Sequence, residues 1–292
     1  MEFVIYIALV LTGVCLGSYA AATVWRLRAK QLQFDKDAKE PYDHKEYSRL
    51  KKLLGKKTTE DRSRCLECGH ALKWYDLIPL VSWISLRGKC RYCRHKIGYF
   101  EPAMEIGVAL FFVLSYIFWP GGVETGLEIT HFLLWLAAGV IMAMLFAYDA
   151  KWFLLPDILT FALIIVGLGI VGVVAAQTQD LGTTILAAIA SVAALGGLYA
   201  VLYGVSRGNW VGFGDVKLGI ALGLLLVDWQ LALLAVFLAN LIGCIIVIPL
   251  LVSKKLKRNS HIPFGPLLIS GTVVALFIGG YIIDWYIGGM GI

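Results

Sequence analysis

Two aspartates stand at the edges of apolar runs, each with its own punctuation. Asp149 lies in Tyr148-Asp149-Ala150-Lys151-Trp152-Phe153-Leu154-Leu155-Pro156-Asp157, and Asp215 closes Gly212-Phe213-Gly214-Asp215. A carboxylate beside hydrocarbon is expensive, about +2.5 to +3.5 kcal/mol for an Asp at the centre of a membrane helix. Two such groups facing each other can share one proton and activate water for peptide hydrolysis. Gly212 and Gly214 leave room for another backbone to approach. Pro156 breaks the chain after Asp149, so Asp157 opens a new helix, where a carboxylate has a structural use. The competing reading for Asp149 and Asp215 is an ion pair with Lys151 or Lys217. Each lysine is two residues away, a spacing that does not share a helix face. On the residues alone, catalysis and ion pairing both stay open.

The second chemical signal is a pair of knuckles, Cys65-Leu66-Glu67-Cys68 and Cys90-Arg91-Tyr92-Cys93, with 21 residues between Cys68 and Cys90. Thiolates at i and i+3 on a tight turn grip one side of a tetrahedral metal, and two such turns close a four-sulfur site, typically for zinc. A closed site leaves no position for substrate, so its role would be structural. Gly69 and Gly88 flank the knuckles where sharp turns are needed. The alternatives are disulfides, disfavoured in a cytoplasmic loop, or a redox dithiol, which lacks its βαβ context. His70 and His95 are near enough in sequence to substitute as ligands, but four cysteines suffice. Cys15 and Cys244 fall in apolar runs and read as small hydrophobes.

The elements that must position these groups are membrane helices. The chain has 292 residues, 59% hydrophobic and 16% charged, with a mean hydropathy of +0.76. Soluble domains are about 45–50% apolar and about 25% charged. The expected fold is an all-α polytopic membrane protein with about eight transmembrane helices, near 2–25, 102–120, 130–148, 157–177, 183–205, 215–228, 230–252 and 265–288. The sixth is short and glycine-rich. The first reads as a retained anchor: no Lys or Arg precedes it, and Trp25-Arg26-Leu27-Arg28 follows it.

Of 26 Lys and Arg residues, 19 lie between Arg26 and Lys96; the others are Lys151, Arg207, Lys217, Lys254, Lys255, Lys257 and Arg258. With eight spans all fall on one side, and the opposite loops carry Glu124, Glu128, Asp180 and Asp228. The positive-inside rule makes the basic side cytoplasmic. That side holds the four-cysteine loop between helices 1 and 2, and both aspartates. Topology accounts for the basic loop without nucleic acid, and Lys254-Lys255-Leu256-Lys257-Arg258 reads as an anchor to anionic lipid. The expected divisions are an anchor helix at 1–28, a cytoplasmic loop at 29–101 with a compact zinc module at 64–100, and a bundle at 102–292.

The ordered set of motifs resembles the bacterial type IV prepilin peptidases. It comprises Gly17-Ser18 with Arg26-Leu27, Ile78-Pro79-Leu80-Val81-Ser82, Arg87-Gly88-Lys89-Cys90-Arg91-Tyr92-Cys93, the aspartate with Leu-Pro-Asp, Gly-x-Gly-Asp, and Ile262-Pro263-Phe264-Gly265-Pro266. The resemblance spans nearly the whole chain. It implies catalytic aspartates at Asp149 and Asp215 and metal-binding cysteines at Cys65, Cys68, Cys90 and Cys93. It implies an inner-membrane aspartic endopeptidase that removes the basic leader of prepilins or pseudopilins after a glycine. It also implies N-methylation of the new amino terminus from S-adenosylmethionine, a cofactor whose site the residues do not reveal. The chain departs from the family pattern at Ala20-Ala21-Ala22 and Leu66, in the part linked to methylation. A peptidase without methyltransferase activity is therefore an alternative.

Other readings are weaker. Gly167-Leu168-Gly169-Ile170-Val171-Gly172 has nucleotide-loop spacing but lacks the strand and turn that motif needs, and reads as helix packing. A proton-coupled transporter would carry its carboxylates at mid-bilayer within an inverted repeat. A signal-peptide-peptidase-type Gly-x-Gly-Asp protease would match Tyr148-Asp149 but not the cysteine loop. Glu105 stands in an apolar context and is expected to be paired or functional.

Overall fold

The structure, a computed structural model, describes residues 2–54, 62–253 and 262–289. The tract Lys254–Arg258 lies outside the described residues. Among those residues there is no strand element, and the chain forms α1 (Glu2–Asp37), α2 (His44–Leu50), α3 (Val81–Ser85), α4 (Phe100–Ile117), α5 (Gly126–Trp152), α6 (Asp157–Thr178), α7 (Leu181–Val192), α8 (Leu198–Ser206), α9 (Phe213–Leu226), α10 (Trp229–Val252) and α11 (Gly265–Gly289). Seven helical stretches among them are long and apolar enough to cross a membrane. This is a multi-pass membrane protein. It divides into two compact units, 1–113 and 114–292, with the boundary inside α4.

In the first unit α1 runs on past the expected span, because Arg26 to Asp37 keeps good helix formers and no breaker. Two glycines let α4 lie against it. A Cβ on Gly13 would fall 2.6 Å from the Cα of Ala109, and one on Gly17 would fall 2.7 Å from the Cα of Glu105. The part of the expected loop that precedes the zinc module is partly helical, with α2 at His44–Leu50. Its Leu50, like Leu32 of α1, is fully buried, and Arg28 pairs with Glu46 at 2.7 Å. Trp25 is buried, and its Nε1 donates to Glu101 Oε1 at 3.0 Å.

The second unit is an up-and-down bundle in which α7, a π-type turn at Ala193–Gly197 and α8 form one span. The sixth expected span exists as a helix but is only 14 residues, about 21 Å at 1.5 Å per residue. That is short of the ~30 Å hydrocarbon core. It can be short because protein surrounds it: Leu218, Ala221 and Leu222 are fully buried. Three glycines carry this close packing. A Cβ on Gly219 would lie 3.0 Å from the Cα of Gly196, one on Gly223 2.7 Å from the Cα of Val192, and one on Gly167 2.7 Å from Leu224. The last contact confirms that the nucleotide-like glycine run is a packing surface. The contacts set α9 antiparallel to α7–α8, so the chain reverses direction at α9 although that helix is short.

The two ends of this bundle are finished differently. At one end α5, α7 and α10 begin on polar caps. Thr125 accepts from Glu128 N, Asp180 from Thr183 N, and Asp228 from Gln230 N and Leu231 N. At the other end α6 and α9 follow Pro156 and Gly212, which supply no side-chain cap. The orphan N–H groups at that end are available to other carboxylates.

Candidate active site and metal centre

Asp149 and Asp215 both sit at this second end. Asp149 is in the last turn of α5, and its neighbour Phe153 ends the helix in the left-handed conformation, φ 56°, with its N–H on Asp149 O at 2.9 Å. The Leu154-Leu155-Pro156 segment that follows cannot continue a helix, since proline lacks the N–H and disfavours helical geometry before it. The Asp149 carboxylate is 5% exposed. Its Oδ2 accepts the N–H of Gly265, the first residue of α11, at 2.9 Å. The positive end of α11 therefore faces this carboxylate. No side chain fits at 265: a Cβ there would stand 2.8 Å from Asp149 Oδ2 and 3.4 Å from Leu155.

Asp215 lies in the first turn of α9, where its Oδ2 accepts Gly212 N at 3.2 Å. Leu155 links the two aspartates: the same side chain that borders Gly265 would meet a Cβ on Gly214 at 3.2 Å. The charge of Asp215 acts on Asp149. The N-termini of α11 and α9 thus each bond one carboxylate, through segments that both border Leu155, an arrangement that could hold and polarise a water. Of the lysines considered as ion-pair partners, Lys217 bonds Asp157, tying α6 to the first turn of α9. Lys151 lies over the Trp152 ring at 4.9 Å. Gly265 and Leu155 were not singled out as site residues from the sequence. Their signal was present only as short motifs whose partners are remote in sequence.

In the first unit the four cysteines converge. Their sulfurs all lie within 4.8 Å of one another, with Cys65 Sγ and Cys93 Sγ 3.9 Å apart. A tetrahedron with Zn–S of about 2.3 Å has edges near 3.8 Å, so the donor set fits a divalent metal. The two knuckles are built alike. Cys65 N bonds His70 O at 3.0 Å and Gly69 N bonds Cys65 O at 2.9 Å; Cys90 N bonds His95 O at 2.9 Å and Arg94 N bonds Cys90 O at 3.0 Å. Gly69 and Arg94 both take positive φ, 72° and 59°. Burial pushes the Cys65 thiol up to about 12, while the His95 amide holds Cys93 below the ordinary thiol value. Neither histidine joins the cluster: His70 stacks on Tyr92 at 3.7 Å and His95 faces Glu67 at 3.6 Å.

Asp76 ties the intervening loop to the second knuckle. It accepts from Arg91 Nε at 2.7 Å, Tyr92 Oη at 2.9 Å and Lys73 N at 3.2 Å. Burial acts to raise its pKa, but the Arg91 and Tyr92 bonds prevail and hold it below the usual carboxylate range. Burial and the Asp76 bond push Tyr92 up to about 12. Glu105 is paired, as expected. It is 5% exposed and its Oε2 accepts Leu80 N at 2.7 Å, bracing a residue with φ 57°.

Comparison with known proteins covers most of the chain. Residues 11–119 match the bacterial peptidase A24 N-terminal domain, and residues 136–248 match the type IV leader peptidase family. A prepilin leader peptidase/N-methyltransferase of Aeromonas salmonicida (strain A449) is 31% identical over 97% of this chain and 94% of its own. One from Aeromonas hydrophila is 34% identical over 77% of this chain and 74% of its own. A type 4 prepilin-like proteins leader peptide-processing enzyme of Escherichia coli O78:H11 is 29% identical over 91% of each. No solved structure matches significantly. Near full-length similarity, a helix-end carboxylate pair and a four-thiol cluster agree, and the chain belongs to the type IV leader peptidase family, a family of membrane peptidases.

Proposed function

We propose that this chain removes the leader from prepilins or pseudopilins in the bacterial inner membrane, with Asp149 and Asp215 as its catalytic pair. The observation that supports it most is the burial of Asp149 against the N-terminus of α11, within the field of Asp215. With one proton between them, the ionised carboxylate takes a proton from water as the water oxygen attacks the scissile carbonyl. The protonated carboxylate gives its proton to the carbonyl oxygen. Collapse breaks the C–N bond: the leaving amine takes the proton first removed from water, and one hydroxyl of the diol returns its proton to the other carboxylate, restoring the singly protonated pair. The pair titrates as a unit. The substrate's apolar helix would lie in the bilayer and its basic leader on the cytoplasmic face, where the charge distribution puts both aspartates and the cysteine loop.

The work divides along the chain: an anchor at 1–28, a cytoplasmic loop at 29–101 serving N-methylation, and a peptidase bundle at 102–292. The names of the Aeromonas relatives support methylation from S-adenosylmethionine. Cys65, Cys68, Cys90 and Cys93 would hold one structural zinc, fixing the loop rather than reacting. Replacing Asp149 or Asp215 singly with Asn, with a co-expressed prepilin, is expected to abolish leader cleavage. Retained cleavage by either variant sinks the catalytic assignment. Methylation is read separately, by mass spectrometry of the mature amino terminus. Elemental analysis of protein purified without chelator is expected to give about one zinc per chain, and a metal-free, folded protein would remove the zinc claim.

A further inference from the structure

Tyr199 is a buried polar group that the two-aspartate mechanism leaves unused. It follows the π-type turn Ala193–Gly197, a feature often found where a helix turns a side chain toward a site. It is 3% exposed, and its hydroxyl has no hydrogen-bond partner. Asn240 on α10 is the nearest polar side chain; its Nδ2 donates to Val236 O at 2.8 Å, and no atom of it meets the hydroxyl in hydrogen-bond geometry. An unpaired buried hydroxyl costs about 1–3 kcal/mol, so its retention needs a reason.

Two independent contacts say where it lies. Gly196 touches Ile220 and Gly219 on antiparallel α9, and Val192 touches Gly223. Stepping three residues from Gly196 toward the aspartate end on both helices brings Tyr199 level with Val216, next to Asp215. The charge of Asp215 acts on the Tyr199 hydroxyl. On its other side, the Tyr199 ring packs on Phe264 with centroids 5.2 Å apart. Phe264 immediately precedes Gly265, whose N–H holds Asp149. Tyr199 therefore stands beside α9, which carries Asp215, and beside the start of α11, whose Gly265 N–H holds Asp149. Ordered water commonly satisfies such a group where several polar partners converge.

We infer that the Tyr199 hydroxyl is a third hydrogen-bonding partner of the hydrolytic water held by Asp149 and Asp215. The assignment rests on those aspartates being the catalytic pair. Its consequence is specific. Phenylalanine keeps the ring packed on Phe264, so removing the hydroxyl is expected to leave the fold intact and to harm only the step in which water is oriented.

The test uses full-length enzyme in detergent micelles and a purified prepilin, comparing wild type, Tyr199→Phe and Asp215→Asn. For Tyr199→Phe, kcat per folded molecule is expected to fall about 100-fold, the scale of one lost active-site donor. KM should stay within twofold and the melting temperature should be unchanged or raised. A Tyr199→Phe enzyme with wild-type kcat overturns the inference, as does one whose lost activity follows a lowered melting temperature. Asp215→Asn separates the two levels. If it still cleaves, the catalytic pair itself fails; if it is inactive while Tyr199→Phe matches wild type, only the role of Tyr199 fails.

Discussion

The contact between Gly265 and Asp149 gives the sharpest single-atom prediction. Gly265→Ala adds one methyl group, 2.8 Å from Asp149 Oδ2 and 3.4 Å from Leu155. An oxygen and a methyl carbon do not approach much closer than about 3.3 Å, so the carboxylate must retreat by about 0.5 Å. The Gly265 N–H bond to it, 2.9 Å in the structure, then stretches toward the limit of a useful hydrogen bond. A hydrogen bond to a charged group is worth about 1.5–3 kcal/mol. If the transition state feels that whole loss, kcat falls about 10- to 150-fold at 1.36 kcal/mol per decade. KM should change little, since the carboxylate binds water and the scissile bond rather than the leader. The assay is leader cleavage under saturating prepilin, with Gly280→Ala as control. Gly280 lies on the same helix with nothing within 4 Å of the added methyl, so that variant should cleave normally. A Gly265→Ala enzyme with at least half the wild-type kcat would refute the argument that this backbone donor sets the position of Asp149.

The bundle and the loop carry further tests. Gly223→Ala drives a methyl to 2.7 Å from the Cα of Val192 and should destabilise by about 1–3 kcal/mol, as overpacking does, read as a lower melting temperature in detergent. Gly204→Ala, which meets nothing within 4 Å, should be neutral or better. Lys217→Met removes the partner of Asp157, whose side chain is 61% exposed. Exposed pairs are worth about 0–1 kcal/mol, so fold and leader cleavage should survive, unlike in Asp149→Asn. Asp76 is held below its ordinary pKa in the folded protein. Its stabilisation is present above the unfolded carboxylate value of about 3.9 and is lost as pH falls through the folded value. Asp76→Asn should therefore lower the melting temperature at neutral pH, with the gap from wild type closing in acid.

How much was legible beforehand can be judged residue by residue. The cysteine cluster was, because i, i+3 thiols on a turn are a local signal and two such turns have few ways to combine. The span count was nearly so: hydropathy located each apolar helix of the bundle, yet the fourteen-residue α9 is shorter than lipid requires because its surroundings are protein. The bond from Trp25 to Glu101 of α4 joins residues 76 positions apart, and nothing local in the sequence announces it. The ion-pair alternative for the aspartates also needed coordinates, since Lys217 bonds Asp157, sixty positions away.

By itself the sequence determined that the chain is a membrane-embedded helical bundle, that four thiols can close on one metal, and that Asp149 and Asp215 end and begin helices. Periodic or local features of this kind depend on neighbours a few residues away. Only the tertiary structure decided that the Asp149 carboxylate takes the N–H of Gly265, that Leu155 borders both Gly214 and Gly265, and that Tyr199 packs on Phe264. Those contacts join residues up to 116 positions apart. They depend on the register between helices, which is set where glycines let backbones touch and which no local pattern encodes.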